Sequence, residues 1–213
     1  MIIAIDGPAA SGKGTVAKLV AAHYGLAYLD TGTLYRAVAR DTLAMGANPT
    51  DVEAAVQAAE ALDPDTLGDP ALRSAGLGEA ASQVASHEKV RAVLLAYQRN
   101  FARRKPGAVL DGRDIGTVIC PDAKVKIFVT ATPEIRARRR FLELRANGAL
   151  ITEAEVLADI RRRDERDMGR STAPLRKAED TYLLDTSNLD IDAAFRAAIL
   201  TIDAAMGHAG RAP

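Results

Sequence analysis

Residues 7–15 read Gly-Pro-Ala-Ala-Ser-Gly-Lys-Gly-Thr. They stand between an apolar run, Ile2 to Ile5, that ends at Asp6 and a segment whose Val16, Leu19, Val20 and Tyr24 recur at helical spacing. A buried strand, a Gly-rich loop and an amphipathic helix, in that order, form the context in which a G-x4-G-K pattern binds phosphate. Small side chains let consecutive backbone N–H groups converge on an anion, the helix N-terminus adds partial positive charge, and Lys13 reaches the outer phosphate oxygens. A plain Gly-rich turn would leave Lys13 unexplained. Gly7, Pro8, Ala9, Ala10, Ser11, Gly12, Lys13, Gly14 and Thr15 are therefore the candidate phosphate cradle.

The rest of the chain repeats the strand and helix alternation. Short apolar strands are expected at Ala27–Leu29, Ala108–Leu110, Val125–Thr130 and Tyr182–Leu184, with helices over about 33–45, 51–62, 79–103, 133–146 and 153–166. A closing helix striped by Ile191, Phe195, Ile199, Ile202 and Met206 follows Asp190, a candidate cap. Five strands separated by helices imply a parallel sheet covered on both faces, an α/β three-layer sandwich. The block from Pro49 to Arg103 has no β-rich run and reads as a helical insertion in that frame.

At 213 residues the chain suits one domain, and its 28 basic and 28 acidic residues cancel. Zero net charge offers no basic track for nucleic acid. Apolar runs of about five residues are far short of the roughly 20 needed to span a bilayer. The opening MIIAIDGP lacks the basic start of a signal peptide, and Cys120 has no partner for a disulfide, so a cytoplasmic protein is expected. The basic residues are uneven. Of 28, 21 are Arg, and 11 of those fall between Arg136 and Arg176. Arg is favoured where a rigid fork must grip carboxylates or phosphates, although an Arg-rich solvated helix would have the same composition.

Val109-Leu110-Asp111 has the form of a strand whose terminal carboxylate orients Mg2+ or its waters. Gly14 takes the position where a hydroxyl usually follows the Lys, and Thr15 comes one residue later, so Thr15 and Asp111 are candidate metal groups acting largely through water. Arg113 and Asp114 place a cation and a second carboxylate at the edge of the sheet, where they could bind ligand or pair with each other. Asp30-Thr31-Gly32-Thr33-Leu34-Tyr35-Arg36 offers a hydroxyl, a ring and a guanidinium, or simply a helix start. The run Arg161 to Arg170 suits either a solvated helix laced with ion pairs or a mobile lid over phosphates. His23, His87 and His208 have no metal or catalytic spacing, and Cys120 reads as a packing residue.

This combination resembles the bacterial cytidylate kinases, the CMP and dCMP branch of the nucleoside monophosphate kinases. The resemblance runs through IDGPAASGKGT, LDTGTLYR, ASQVA, LDGRDIGT, PDAKVKIFV and RRRDERDMGRSTAPL. It implies a P-loop kinase using ATP and Mg2+, with a monophosphate-binding insertion over 31–105 and an Arg-rich lid over 148–172. By matching motif, Thr31, Tyr35, Arg36, Arg113 and Arg170 would surround the acceptor phosphate, and Ser82, Arg91 and Asp114 would face the cytosine. Arg163 and Asp167 would lie near the sugar and the transferred group, and Lys13, Arg113, Arg163 and Arg170 would be catalytic. A monomer acting on CMP or dCMP, without nucleic acid or membrane, is the expectation. The alternative is a kinase for another small phosphorylated acceptor, such as UMP or a coenzyme precursor. A regulatory GTPase is disfavoured by the lack of an N-K-x-D element.

Overall fold

The computed structural model describes residues 1–74 and 76–207. Residues 208–213, His208 among them, lie outside these residues. Five parallel strands, β1 (Ile2–Asp6), β2 (Ala27–Asp30), β3 (Ala108–Gly112), β4 (Val125–Thr130) and β5 (Tyr182–Asp185), form one sheet in the order β2-β3-β1-β4-β5. The central position of β1 is legible in its composition, because Ile3, Ala4 and Ile5 are fully buried and alternate between the two faces. Ile3, Ile5 and Val109 pack against α1 (Lys13–Tyr24) and α8 (Ile191–Ala205). Ala4, Ala108 and Leu110 face the opposite layer.

That second layer holds α2 (Thr31–Ala44), α3 (Val52–Glu60), α4 (Leu77–Val84) and α5 (Glu88–Ala102). The expected single helix over 79–103 is two helices. Ser86 bonds back to the Gln83 carbonyl through both its amide and its hydroxyl, and His87 takes an extended conformation with its ring on the Pro49 carbonyl. Side-chain competition for the backbone ends α4 there, and a new helix starts at Glu88. Residues 63–78 contain two 3-10 turns, Pro64–Gly68 and Pro70–Arg73, each capped by an Asp side chain. The last pair, α6 (Pro133–Ala146) and α7 (Glu153–Met168), packs through Ala137, Leu144, Val156 and Ile160. Thr132 caps α6 with Pro133 in its first turn, and Thr152 with Glu155 forms a capping box on α7. Asp190 caps α8 through the Ala193 amide.

Cys120 is buried among apolar residues. None of the described helices is long and apolar enough to cross a membrane. Buried and exposed leucines should respond unequally to truncation. Leu110→Ala, at a fully buried position, is expected to cost about 2–5 kcal/mol. Leu200→Ala, at a position 67% exposed on α8, should stay within about 0.5 kcal/mol. Chemical denaturation of both variants checks the contrast.

Candidate active site

Above the C-terminal ends of β1, β2 and β3 lies a cleft of about 720 Å³. It is lined by the 9–15 part of the loop and by residues of α2, α4, α5, the 111–114 turn and α7. The loop leaves β1 at Gly7, where an added Cβ would stand 2.0 Å from the Val129 carbonyl oxygen. It then passes through left-handed backbone at Ala10 and Gly12 into α1. Lys13 folds back so that Nζ donates to the Pro8 carbonyl at 3.3 Å. Withdrawal from water, with Arg113 nearby, pulls its ammonium down to about 7. Asp111 accepts from the Tyr28 hydroxyl at 2.9 Å, and burial together with the Asp30 charge pushes its carboxyl up to about 7. Two carboxylates that repel one another beside a lysine form a donor set a divalent cation would relieve. With no cluster of three His, Cys, Asp or Glu among the described residues, such an ion would keep mostly water and phosphate ligands, which suits Mg2+. Thr15 lines the same cleft and is exposed.

Asp6 sets the next turn. Its two oxygens accept the amides of Ile115 and Gly116, both at 2.8 Å, and so anchor the start of a π-helical turn, Ile115–Ile119. That anchor positions Arg113 and Asp114, which do not pair with each other. Arg113 Nε donates to Asp167 at 2.8 Å, while Asp114 is ion-paired with Arg91. Asp167, 2% exposed, also accepts from Arg170, so one buried carboxylate holds two guanidiniums. Arg36 is held by Asp30 at 2.6 Å and by Thr33 at 2.7 Å. Burial and the proximity of Arg113 pull Arg163 down to about 10. Among the described residues the buried Nε groups of Arg36, Arg91, Arg163 and Arg170 have no hydrogen-bond acceptor. Cations are in excess of what the protein neutralises, the condition of a cleft built for an anion.

Of the residues matched to the base, Ser82, Arg91 and Asp114 all line the cleft, with Tyr35 beneath Arg91 at 5.7 Å from guanidinium to ring centroid. Thr31 also lines the cleft, and its hydroxyl donates to the Asp111 carbonyl at 2.8 Å, which braces β3 against the start of α2. The Arg161 to Arg170 run divides between its two readings. Arg161 and Arg162 form exposed ion pairs with Glu134 and Asp159, whereas Arg163, Arg166 and Arg170 turn inward. Sequence reasoning missed Arg166, which donates to Ser82 Oγ at 2.9 Å and Glu79 at 2.6 Å and so joins α7 to α4. It also missed Tyr28, Asp30 and the anchoring role of Asp6. The i to i+4 spacing of Arg166 from Arg170 and Arg162 carried no sign of which would face inward.

A family model described as cytidylate kinase matches residues 3–203. The chain is 62% identical over 211 residues to a cytidylate kinase of Rhodopseudomonas palustris strain HaA2, covering 99% of each. It is 59% identical over 212 residues to that of Nitrobacter winogradskyi, covering 100% of each. A solved structure of an uncharacterized protein from Eubacterium ventriosum shares the fold, with a TM-score of 0.56 at 17% identity over 95% of this chain and 98% of that one.

The Asp6 anchor has a signature in pH. Burial pushes its carboxyl up to about 6 against the pull of its two amide donors. A carboxyl raised in the folded state binds its proton more tightly there, so the ionised group opposes folding above about pH 6 and that penalty lifts as the pH falls towards 4. Relative to Asp6→Asn, which cannot titrate, the wild type should gain on the order of 3 kcal/mol between pH 7 and pH 4. Paired denaturation series check this, and parallel curves would contradict it.

Proposed function

Because the chain belongs to the cytidylate kinase family, we propose that it transfers the γ-phosphoryl group of ATP to CMP or dCMP, giving ADP and CDP or dCDP. It is a nucleoside monophosphate kinase with ATP as its phosphate donor. The observation that carries the proposal is the surplus of unsatisfied guanidinium donors in one cleft with a phosphate-type loop at its floor.

An acceptor that is already a phosphate monoester is ionised near neutrality, so its oxygen attacks without a general base. The cleft lining agrees with that economy: it contains no histidine among the described residues. The work left to the chain is positioning and charge stabilisation. In this reading Gly7 to Thr15 hold the ATP phosphates and Lys13 follows the transferred group. Arg36, Arg113 and Arg170, with Tyr35 and Thr31 behind them, orient the acceptor phosphate, and Arg163 supports the charge that develops between the two nucleotides. Asp167 aligns Arg113 and Arg170 and in this reading lies with Arg163 near the sugar and the transferred group. Asp111, with Thr15 and intervening water, would hold Mg2+, which would supply positive charge to offset that of the phosphates.

Base choice falls to Ser82, Arg91 and Asp114. Cytosine presents an amino donor where uracil presents a carbonyl acceptor, so an ionised Asp114 attracts one and repels the other. Arg91 holds one oxygen of Asp114, and the second oxygen can accept the amino group. Residues 31–105 form the block that receives the monophosphate, and 148–172 form the lid. A monomer completes this reading, and the location that fits ATP and CMP as substrates is the cytoplasm. Nucleic acid is no partner in this reading, since the charges gather inside a cleft.

A coupled ADP-release assay across CMP, dCMP, UMP, AMP, GMP and dTMP tests the proposal. Turnover should be fastest with CMP or dCMP, and Lys13→Ala should lower it by about 10²-fold or more while the melting curve stays cooperative. Equal turnover with AMP or GMP would overturn it. In Asp114→Asn the amide can donate to the uracil oxygen, so the CMP to UMP ratio of kcat/KM should narrow by about 1–3 kcal/mol. An equal slowing of both would mean that Asp114 only orients Arg91.

A further inference from the structure

Arg136, on α6, stands outside the cleft and is 3% exposed. Its guanidinium joins three parts of the chain. Nε donates to the Ala131 carbonyl at 2.9 Å, which fixes the fork relative to the end of β4. Nη1 donates to the Ala9 carbonyl at 3.2 Å and to Asp164 Oδ1 at 3.0 Å, and Nη2 donates to Asp164 Oδ2 at 2.6 Å. Ala9 belongs to the phosphate-type loop, and Asp164 belongs to α7, between Arg163 and Asp167. One planar group thus holds the loop and the helix that carries the cleft arginines.

The orientation of the Ala9 carbonyl has a consequence for the loop. In a trans peptide the C=O and the following N–H point in opposite directions. With the Ala9 oxygen turned outward to Arg136, the Ala10 N–H is turned away from α6. Ala10 is a non-glycine residue at φ 58, a conformation that needs outside support. Ser11 is braced in the same manner, its carbonyl accepting from the Thr186 hydroxyl at 3.0 Å, and Thr186 is itself held by Arg139 one turn further along α6. Among the described residues the amides of Ala10 and Gly12 have no acceptor.

We infer that Arg136 is a positioning residue that couples nucleotide occupancy of the loop to the placement of α7: by holding Ala9 and Asp164 on one guanidinium it transmits the loop's conformation to Arg163 and Asp167. This rests on the reading of residues 7–15 as the nucleotide cradle. Lys cannot serve in its place, because a single ammonium lacks the planar fork that spans both partners. Coupling of this kind is reciprocal, so a nucleotide that prefers the braced loop also steadies α7.

The test uses ADP as the sole ligand at saturating concentration, with hydrogen exchange read over residues 153–168 and affinity read by calorimetry. In the wild type ADP should slow exchange across α7 several-fold. In Arg136→Lys affinity for ADP should fall about tenfold, the scale of one charge-assisted hydrogen bond, and the slowing should vanish at saturation. Asp164→Asn leaves Arg136 on Ala9, so its affinity should stay within about threefold of wild type while the slowing is again lost. If Arg136→Lys does not fold, Asp164→Asn decides alone. Unchanged slowing in Asp164→Asn, or none in the wild type, would overturn the inference. Lys13→Ala separates the two levels: if it leaves ADP affinity intact, the cradle reading itself fails, and if it abolishes affinity while α7 remains uncoupled in the wild type, only the role of Arg136 fails.

Discussion

Concentrating guanidinium groups at one end of a parallel sheet is electrostatically costly, and much of this structure exists to bear that cost. Arg36, Arg91, Arg113, Arg163 and Arg170 meet Lys13 in a single cleft. Each carboxylate placed among them does more than neutralise. Asp30 fixes Arg36, Asp114 fixes Arg91, and Asp167 fixes Arg113 and Arg170 together. A buried charge pair contributes little net stability once desolvation is counted, so these pairs are better understood as devices for aiming donors. The remaining surplus of unpaired donors is what an incoming pair of phosphorylated ligands would satisfy.

The anchoring is hierarchical. β1 lies in the middle of the sheet, and its last residue, Asp6, grips the backbone that follows β3. That grip sets Arg113 and Asp114, which in turn meet α7 and α5. α7 is tied back to the loop through Arg136 and across the cleft to α4 through Arg166. Most of these links are side chain to backbone or charge to charge, so they hold direction at short range while the apolar layers supply cohesion. A phosphotransferase that depends on alignment needs this division of labour.

Much of the frame was legible beforehand because hydrophobic period and punctuation are local. β4 and α6 fell where the apolar run and the Thr132-Pro133 start place them, and Asp190 caps α8 as its position suggests. The break between α4 and α5 was hidden because Val84, Val90 and Leu94 keep an apolar stripe across it, while the interruption is made by Ser86 and by His87 reaching Pro49. In the Arg161 to Arg170 run, charge alone could not separate the exposed Arg161 and Arg162 from the inward Arg163, Arg166 and Arg170.

What the sequence determined by itself was the strand, loop and helix at the start of the chain, the α/β alternation and the chemical kinds gathered in the motifs. These follow from backbone propensity, from glycine's freedom and from residue type, all of which act within a few positions. Only the tertiary structure decided partnership: that Arg113 turns to Asp167 and not to its neighbour Asp114, that the Thr31 hydroxyl donates to the Asp111 carbonyl, and that Arg136 joins Ala9 to Asp164. Such pairings join residues 28 to 127 positions apart. They are chosen by which elements the packed sheet brings together, because electrostatic and hydrogen-bond energies depend on distance in space and not on distance along the chain.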